Sequence, residues 1–185
     1  MEQFKAFDEI NRIDDRHILI SPFTGGVLSL ELLHSAVSKF ELHLGVPEDI
    51  RSQFNVARNM ALYTYYHFAL APEVQMKTFA VIELALKCRF PEPPKQKLFA
   101  LITKAVEEGL VKDSGFSHLS VKNLSNDYSK TLIKIIPALR NSLAHGSTAL
   151  THESVGHIQT CADFINQLFP AVEAVLGHEK STNAQ

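Results

Sequence analysis

Apolar residues in this 185-residue chain recur at steps of three and four, in segments that proline and glycine separate. This spacing puts one apolar stripe on an α-helix, whereas a half-buried strand alternates with a period of two. Residues 28 to 44 show the helical spacing most clearly, and Gly45 and Pro47 follow as stop signals. Five or six segments have this pattern and none has the pattern of a strand. We therefore predict an all-α bundle of four to six helices.

Proline and acidic residues predict a helical hairpin in the first half of the chain. Pro47 and Pro72 each precede acidic residues, which suit the first turn and the positive end of a helix dipole. This predicts one helix from 48 to about 70 and a second from 72 to 90. Short connections usually join antiparallel neighbours, so these two helices should form a hairpin. The remaining predicted helices run over residues 95 to 111, to about 145 after a cap at Asp127 or Ser129, and from 151 to 176, with a loop at 112 to 127.

The chain has the size and composition of one globular domain. It is 45% hydrophobic and 21% charged, values that favour a packed core over disorder. We expect a single helical domain over residues 27 to 177. A less regular N-terminal arm over residues 1 to 26 should precede it, with "HILISPF" as a short extended segment, and a disordered tail over residues 178 to 185 should follow.

Composition argues against several functional classes. No apolar run approaches the ~20 residues that span a bilayer, and the N-terminus lacks the basic start and apolar centre of a signal peptide. The two cysteines suggest no disulfide framework, so we expect a cytoplasmic protein with no membrane partner. No H-E-x-x-H, C-x-x-C or P-loop pattern occurs, so we expect neither a metal nor another cofactor. The net charge of -2 leaves only a local patch for binding nucleic acid.

The stretch "LRNSLAHG", residues 139 to 146, is the strongest candidate for a functional site. It combines Arg140, Asn141 and His145 on an apolar helical background. The spacing from arginine to histidine is weak evidence, because it should occur by chance about 0.3 times in such a chain and a second copy runs from Arg12 to His17. Residues five apart on a straight helix also lie about 140° apart. Arg140 and His145 therefore converge only if the helix bends, as at Pro137, or ends near His145.

Glu83 is a second candidate because apolar residues surround it in "FAVIELALK". A carboxylate in such a setting is expected to be buried or half-buried and to need a partner. Arg140 is the first choice of partner and Arg58 the alternative. The pair would either orient the arginine for a phosphate or serve only as a structural salt bridge.

The motif and its helical setting resemble the HEPN superfamily (higher eukaryotes and prokaryotes nucleotide-binding domains). The family motif is arginine, a polar residue and then histidine after four to six positions, which "RNSLAH" matches. The resemblance covers residues 48 to 176 and includes the hairpin that carries Glu83. HEPN domains are helical bundles that commonly dimerise and bring two motifs into one cleft. Many are metal-independent ribonucleases of toxin-antitoxin, abortive-infection and CRISPR systems, and others are non-catalytic.

The resemblance implies a role for each residue of the motif. His145 would be the general acid or base, since histidine titrates near neutral pH. Arg140 would hold the phosphate with its planar, permanently charged fork. Asn141 would orient one of them or the substrate. We therefore expect a homodimeric endoribonuclease of prokaryotic type that acts on RNA and is controlled by an antitoxin or another regulatory protein.

Two other interpretations are compatible with the sequence. The domain could be a non-catalytic HEPN module that binds RNA, nucleotide or a protein as a regulator. It could also be a purely structural helical dimer, in which Arg140 makes an ion pair and His145 caps the end of a helix. From the residue types and spacing alone, the structural interpretation is the simpler one.

Overall fold

The computed structural model describes residues 2–93, 95–119, 125–147, 149–150 and 154–171. Within these ranges the chain forms seven α-helices and no strand, which confirms the predicted all-α bundle with one helix more than expected. The helices are α1 (Asp15–Thr24), α2 (Leu30–Ser38), α3 (Glu48–Tyr63), α4 (Ala71–Arg89), α5 (Leu98–Glu107), α6 (Asp127–Ala144) and α7 (Ser154–Leu168). Single turns of 3-10 helix lie at Phe7–Glu9, Phe68–Leu70 and Asp113–Gly115. The predicted tail over residues 178 to 185 lies outside the described residues.

Helix α4 occupies the centre of the bundle, where it packs against α3, α5, α6 and α7. It is therefore buried on most of its circumference, and its apolar residues form no single stripe. The predicted hairpin of α3 and α4 is present. Helix α3 ends at Tyr63 rather than near residue 70, because a turn and the 3-10 helix Phe68–Leu70 make the connection.

Helix α2 is shorter than predicted and ends at Ser38 instead of residue 44. The chain beyond it is held by Asn166 of α7, whose side chain accepts a hydrogen bond from the His43 backbone N–H (3.1 Å) and donates one to the Glu41 carbonyl (2.9 Å). A side chain at Gly45 would collide with the carbonyl of Pro170. The contact with α7 therefore replaces the last turns of the predicted helix.

The N-terminal region contains a helix where an extended segment was predicted. "HILISPF" lies in α1, and residues 2–14 before it contain one turn of 3-10 helix. The Asp14 carboxylate accepts hydrogen bonds from the Arg16 backbone N–H (3.1 Å), which caps α1, and from the Phe68 backbone N–H (2.8 Å). The extended prediction was wrong because the contact with Phe68 anchors the start of α1 to the α3–α4 connection.

Two further helix ends differ from the prediction. Helix α5 covers Leu98–Glu107 rather than 95 to 111, and Gly109 follows it with a positive φ of 69°. Helix α7 ends at Leu168 rather than residue 176, because Pro170 disfavours helical geometry in the residue before it. The first predicted residues of α7, 151 to 153, and the last, 172 to 176, lie outside the described residues.

Helix α6 is capped by a residue that is distant in sequence rather than by Asp127 or Ser129. Buried Asp113 accepts hydrogen bonds from the backbone N–H groups of Tyr128 (3.1 Å) and Ser129 (2.8 Å) and from the Ser129 hydroxyl (2.7 Å). Burial by itself raises the pKa of Asp113, but these hydrogen bonds outweigh it and hold the pKa below its usual range. Asp113 thus fixes where α6, the helix with the candidate motif, begins.

We expect Asp113→Ala to lower the free energy of unfolding by about 1–3 kcal/mol, because it leaves buried backbone donors of α6 without an acceptor. Urea denaturation followed by circular dichroism measures this change. Asp127→Ala is the matched control, since Asp127 is exposed in the same first turn and its loss should cost less than about 1 kcal/mol. Equal losses for the two variants would contradict the assignment of Asp113 as the cap.

We also expect the protein to lose stability in acid through Asp14. Burial raises the pKa of Asp14, but hydrogen bonds from Arg16 and the Phe68 backbone outweigh it, so the folded-state pKa is well below its usual range. A depressed pKa stabilises the fold above the unfolded-state value of about 4, and this stabilisation is lost as the pH falls below that value. Urea midpoints should therefore drop between pH 5 and pH 3. Asp14→Asn should show a smaller drop, and an unchanged pH dependence in that variant would refute the role of Asp14.

Candidate functional site

The motif residues lie at the C-terminal end of α6. The helix continues through Pro137 without restarting and ends at Ala144, so Arg140 and Asn141 are in its last turns. His145 is the first residue beyond the helix, with a φ of -92° and a ψ of 11°. Its backbone N–H donates to the Asn141 carbonyl (3.0 Å). The helix therefore ends directly before His145, and such an end is one of the two irregularities by which Arg140 and His145 could converge.

Arg140 contacts Glu83, as the sequence predicted. One guanidinium nitrogen of Arg140 lies 3.6 Å from Glu83 Oε2, and Lys87 donates to the other carboxylate oxygen from one turn further along α4. The side chain of Glu83 is 20% exposed and that of Arg140 is 41% exposed. Glu83 is thus half-buried with its charge balanced, while Arg140 keeps N–H donors within reach of solvent.

Arg58 does not belong to this site. It lies on α3 and turns toward the end of α2, where it donates to Asn55 Oδ1 (3.0 Å) and to the Ser38 carbonyl (3.4 Å). Its carboxylate partner is Glu41, at 3.5 Å. The alternative pairing of Glu83 with Arg58 was therefore wrong, because Arg58 is directed toward the end of α2 and contacts Glu41 there.

The two copies of the arginine-to-histidine spacing have opposite environments. His17 is buried, and its Nε2 hydrogen-bonds the Thr64 carbonyl at 2.8 Å, so the N-terminal copy serves packing. Arg12 in that copy is exposed and lies 3.9 Å from Asp8. His145 and Asn141, by contrast, are both exposed. The structure leaves only the C-terminal copy with its histidine accessible to a ligand.

The exposed groups of the motif have complementary chemistry. Arg140 offers a permanent positive charge and a planar set of N–H donors that suits phosphate oxygens. The Asn141 amide both donates and accepts hydrogen bonds. The imidazole of His145 has one nitrogen that can donate a hydrogen bond and one that can accept one. Within the described ranges, no three histidine, cysteine, aspartate or glutamate side chains converge as ligands for a metal ion.

Apolar residues beside the site are exposed, which the sequence did not indicate. Leu84 and Leu139 adjoin Glu83 and Arg140 in the chain and are 39% and 40% exposed. Ile135, one helical turn before Leu139, is also exposed. The helical spacing assigns such residues to a core stripe, and no signal in the sequence identified them as surface residues. Exposed apolar residues therefore lie next to the motif residues along both α4 and α6.

No protein-family model, curated protein or solved structure matches the chain. None of the helices in the described part of the chain is both long and apolar enough to cross a membrane.

We expect the ion pair of Glu83 and Arg140 to contribute little to stability. Because the Arg140 side chain is partly exposed, a double-mutant cycle with Glu83→Gln and Arg140→Gln should give a coupling energy below about 1 kcal/mol in urea denaturation. A cycle with Glu83→Gln and Lys87→Gln serves as the comparison for an exposed pair. A coupling of about 3 kcal/mol or more for Glu83 and Arg140 would identify a buried structural ion pair and favour the structural interpretation.

Proposed function

We propose that the protein is a metal-independent endoribonuclease of the HEPN type that acts in the cytoplasm as a homodimer. One observation supports it above all: Arg140 is held at Glu83 with part of its guanidinium exposed, on the helix that ends at an exposed His145. If Arg140 served only as an ion-pair partner and His145 only as a helix cap, neither side chain would need polar atoms that solvent can reach. A group that binds phosphate or transfers a proton must have such atoms accessible.

The reaction uses the RNA's own 2′-hydroxyl as the nucleophile. The 2′-oxygen attacks the adjacent phosphorus, and the bond from phosphorus to the 5′-oxygen of the next nucleotide breaks. A base takes the proton of the 2′-hydroxyl and an acid protonates the leaving 5′-oxygen, which yields a 2′,3′-cyclic phosphate and a 5′-hydroxyl. Arg140 stabilises the negative charge that builds up on the phosphoryl oxygens.

A dimer explains how one histidine per chain performs both proton transfers. The attacked and leaving oxygens lie on opposite sides of the phosphorus, so a neutral histidine and a protonated one are needed at the same time. His145 of each copy supplies one of them if the two motifs face each other. The exposed apolar residues Leu84, Ile135 and Leu139 beside the motif provide the kind of surface that such an interface buries.

Control by a partner protein follows from the chemistry. An RNA-cleaving dimer with an open site would damage the RNA of its own cell. We therefore assign the protein to the toxin or defence component of a prokaryotic toxin-antitoxin or abortive-infection system, with RNA as substrate and an antitoxin or regulator as partner.

One observation favours a non-catalytic module as the second candidate. Arg140 already has a carboxylate partner in Glu83, and the chain has a net charge of -2, so phosphate must compete with an existing ion pair. A module that binds RNA, nucleotide or a protein without cleaving RNA can work with such a partly occupied arginine, and it needs no proton transfer.

Cleavage of total RNA and transfer RNA by the purified protein in EDTA tests the proposal. We expect products with 2′,3′-cyclic phosphate ends, and a loss of about 10²-fold or more in rate for His145→Ala and for Arg140→Ala. Arg12→Ala and His118→Ala are the matched controls, since both residues are exposed and lie outside the motif. Circular dichroism establishes that every variant is folded.

Two results would decide against the enzyme. If the folded wild-type dimer cuts none of a broad set of RNAs, the binding module or the structural dimer replaces it. If cleavage survives in both His145→Ala and Arg140→Ala, the activity belongs to another site or to a contaminant.

A further inference from the structure

A polar cleft of about 330 Å³ lies between α2 and α3, on the face where Arg58 sits. We call it the Arg58 cleft. Arg58, Asn55 and Asn59 line it from α3, and His34 and Ser38 line it from α2, with apolar Val37 and Leu62 beside them. None of the described residues that line it is an aspartate or a glutamate. The cleft thus has one permanent positive charge and several neutral hydrogen-bonding groups.

The guanidinium of Arg58 is poorly satisfied for a side chain that is only 20% exposed. Its Nε is buried and has no hydrogen-bond acceptor among the described residues. One terminal nitrogen donates to a neutral amide, Asn55, and the other makes long contacts of 3.4 Å to the Ser38 carbonyl and 3.5 Å to Glu41. Glu41 is 74% exposed, so its attraction for Arg58 is screened by water.

A half-buried arginine with an unmet donor and a weak counter-ion is costly unless an anion completes it. Guanidinium groups bind carboxylates and phosphates through two parallel N–H donors. The side-chain amides of Asn55 and Asn59 add N–H donors around the same cleft, whereas the Ser38 hydroxyl already donates to the Ser35 carbonyl (3.1 Å). A carboxylate has two oxygens, and one guanidinium can donate to both. A phosphate monoester has three terminal oxygens, so it can also accept hydrogen bonds from the additional donors of the cleft. The volume is at the small end of ligand pockets, which are about 300–1,000 Å³.

From these contacts we propose that the Arg58 cleft binds the phosphate group of a phosphate monoester, such as inorganic phosphate or a nucleoside 5′-monophosphate. This site is separate from Arg140 and does not depend on the proposed ribonuclease activity. The larger groove beside the N-terminal arm is a poorer candidate. Glu2, Glu9, Asp14 and Asp15 line it, and Arg16 is already bound there to Asp14 and Glu2.

Isothermal titration calorimetry of the full chain tests the proposal, with inorganic phosphate and adenosine 5′-monophosphate as separate probes at constant ionic strength. We expect saturable binding of one phosphate group at the cleft, weakened about tenfold or more by Arg58→Gln. Asn59→Asp, at an exposed position, should also weaken binding because it adds a negative charge. Glu41→Gln should tighten binding, since it removes the carboxylate that competes for Arg58. A gain in affinity cannot arise from misfolding.

Two controls separate this site from the motif and from other ligands. Arg140→Gln should keep the binding, so the outcome is independent of the ribonuclease assay. If adenosine 5′-monophosphate binds more tightly than inorganic phosphate, the nucleoside also contacts the cleft. If the two bind equally, the cleft contacts only the phosphate group.

Three results would overturn the proposal. The first is no saturable binding to the wild-type chain at millimolar phosphate, and the second is binding that Arg58→Gln leaves intact. The third is stronger binding of succinate than of phosphate with the same dependence on Arg58, which would make this a carboxylate site.

Discussion

The burial of α4 among four neighbouring helices determines where most other groups lie. Because α3, α5, α6 and α7 all pack on α4, only a narrow strip of this helix reaches solvent. Glu83 lies on that strip, at the border with α6, where a carboxylate can be half-buried and still be paired. Arg140 takes its position from this contact. The candidate site therefore depends on the packing of the core as much as on the motif itself.

Polar side chains from distant parts of the sequence decide where several helices start and stop. Asp113 caps α6, Asp14 joins α1 to the connection before α4, and Asn166 holds the chain after α2. Each of them satisfies backbone N–H groups that would otherwise be buried without a partner. Two of the predicted helix ends that proved wrong, those of α2 and α3, lie beside these contacts. Local spacing predicts which segments are helical, but it does not show which distant side chain meets their ends.

The arginines of this chain show how the same residue type takes different roles. Arg12 and Arg140 precede histidines at the same spacing, yet His17 is buried against a backbone carbonyl while His145 is exposed at a helix end. Arg58 was a reasonable partner for Glu83 on the basis of the predicted hairpin. The orientation of α3 instead turns it toward α2, where it lines a separate cleft. Charge and spacing alone do not distinguish these three environments.

The sequence by itself determined the all-α class, the α3–α4 hairpin and the half-buried setting of Glu83, because helical periodicity and a carboxylate on an apolar background are local signals. It left the partner of Glu83 open between Arg140 and Arg58, and the structure places Arg140 there. Only the tertiary structure decided the length of α2, the presence of α1 and the cap of α6. It also decided the separation of Arg58 from the motif and the exposure of the apolar residues beside it. These features depend on contacts between residues far apart in the chain, and the free energy of such contacts is set by how the helices pack.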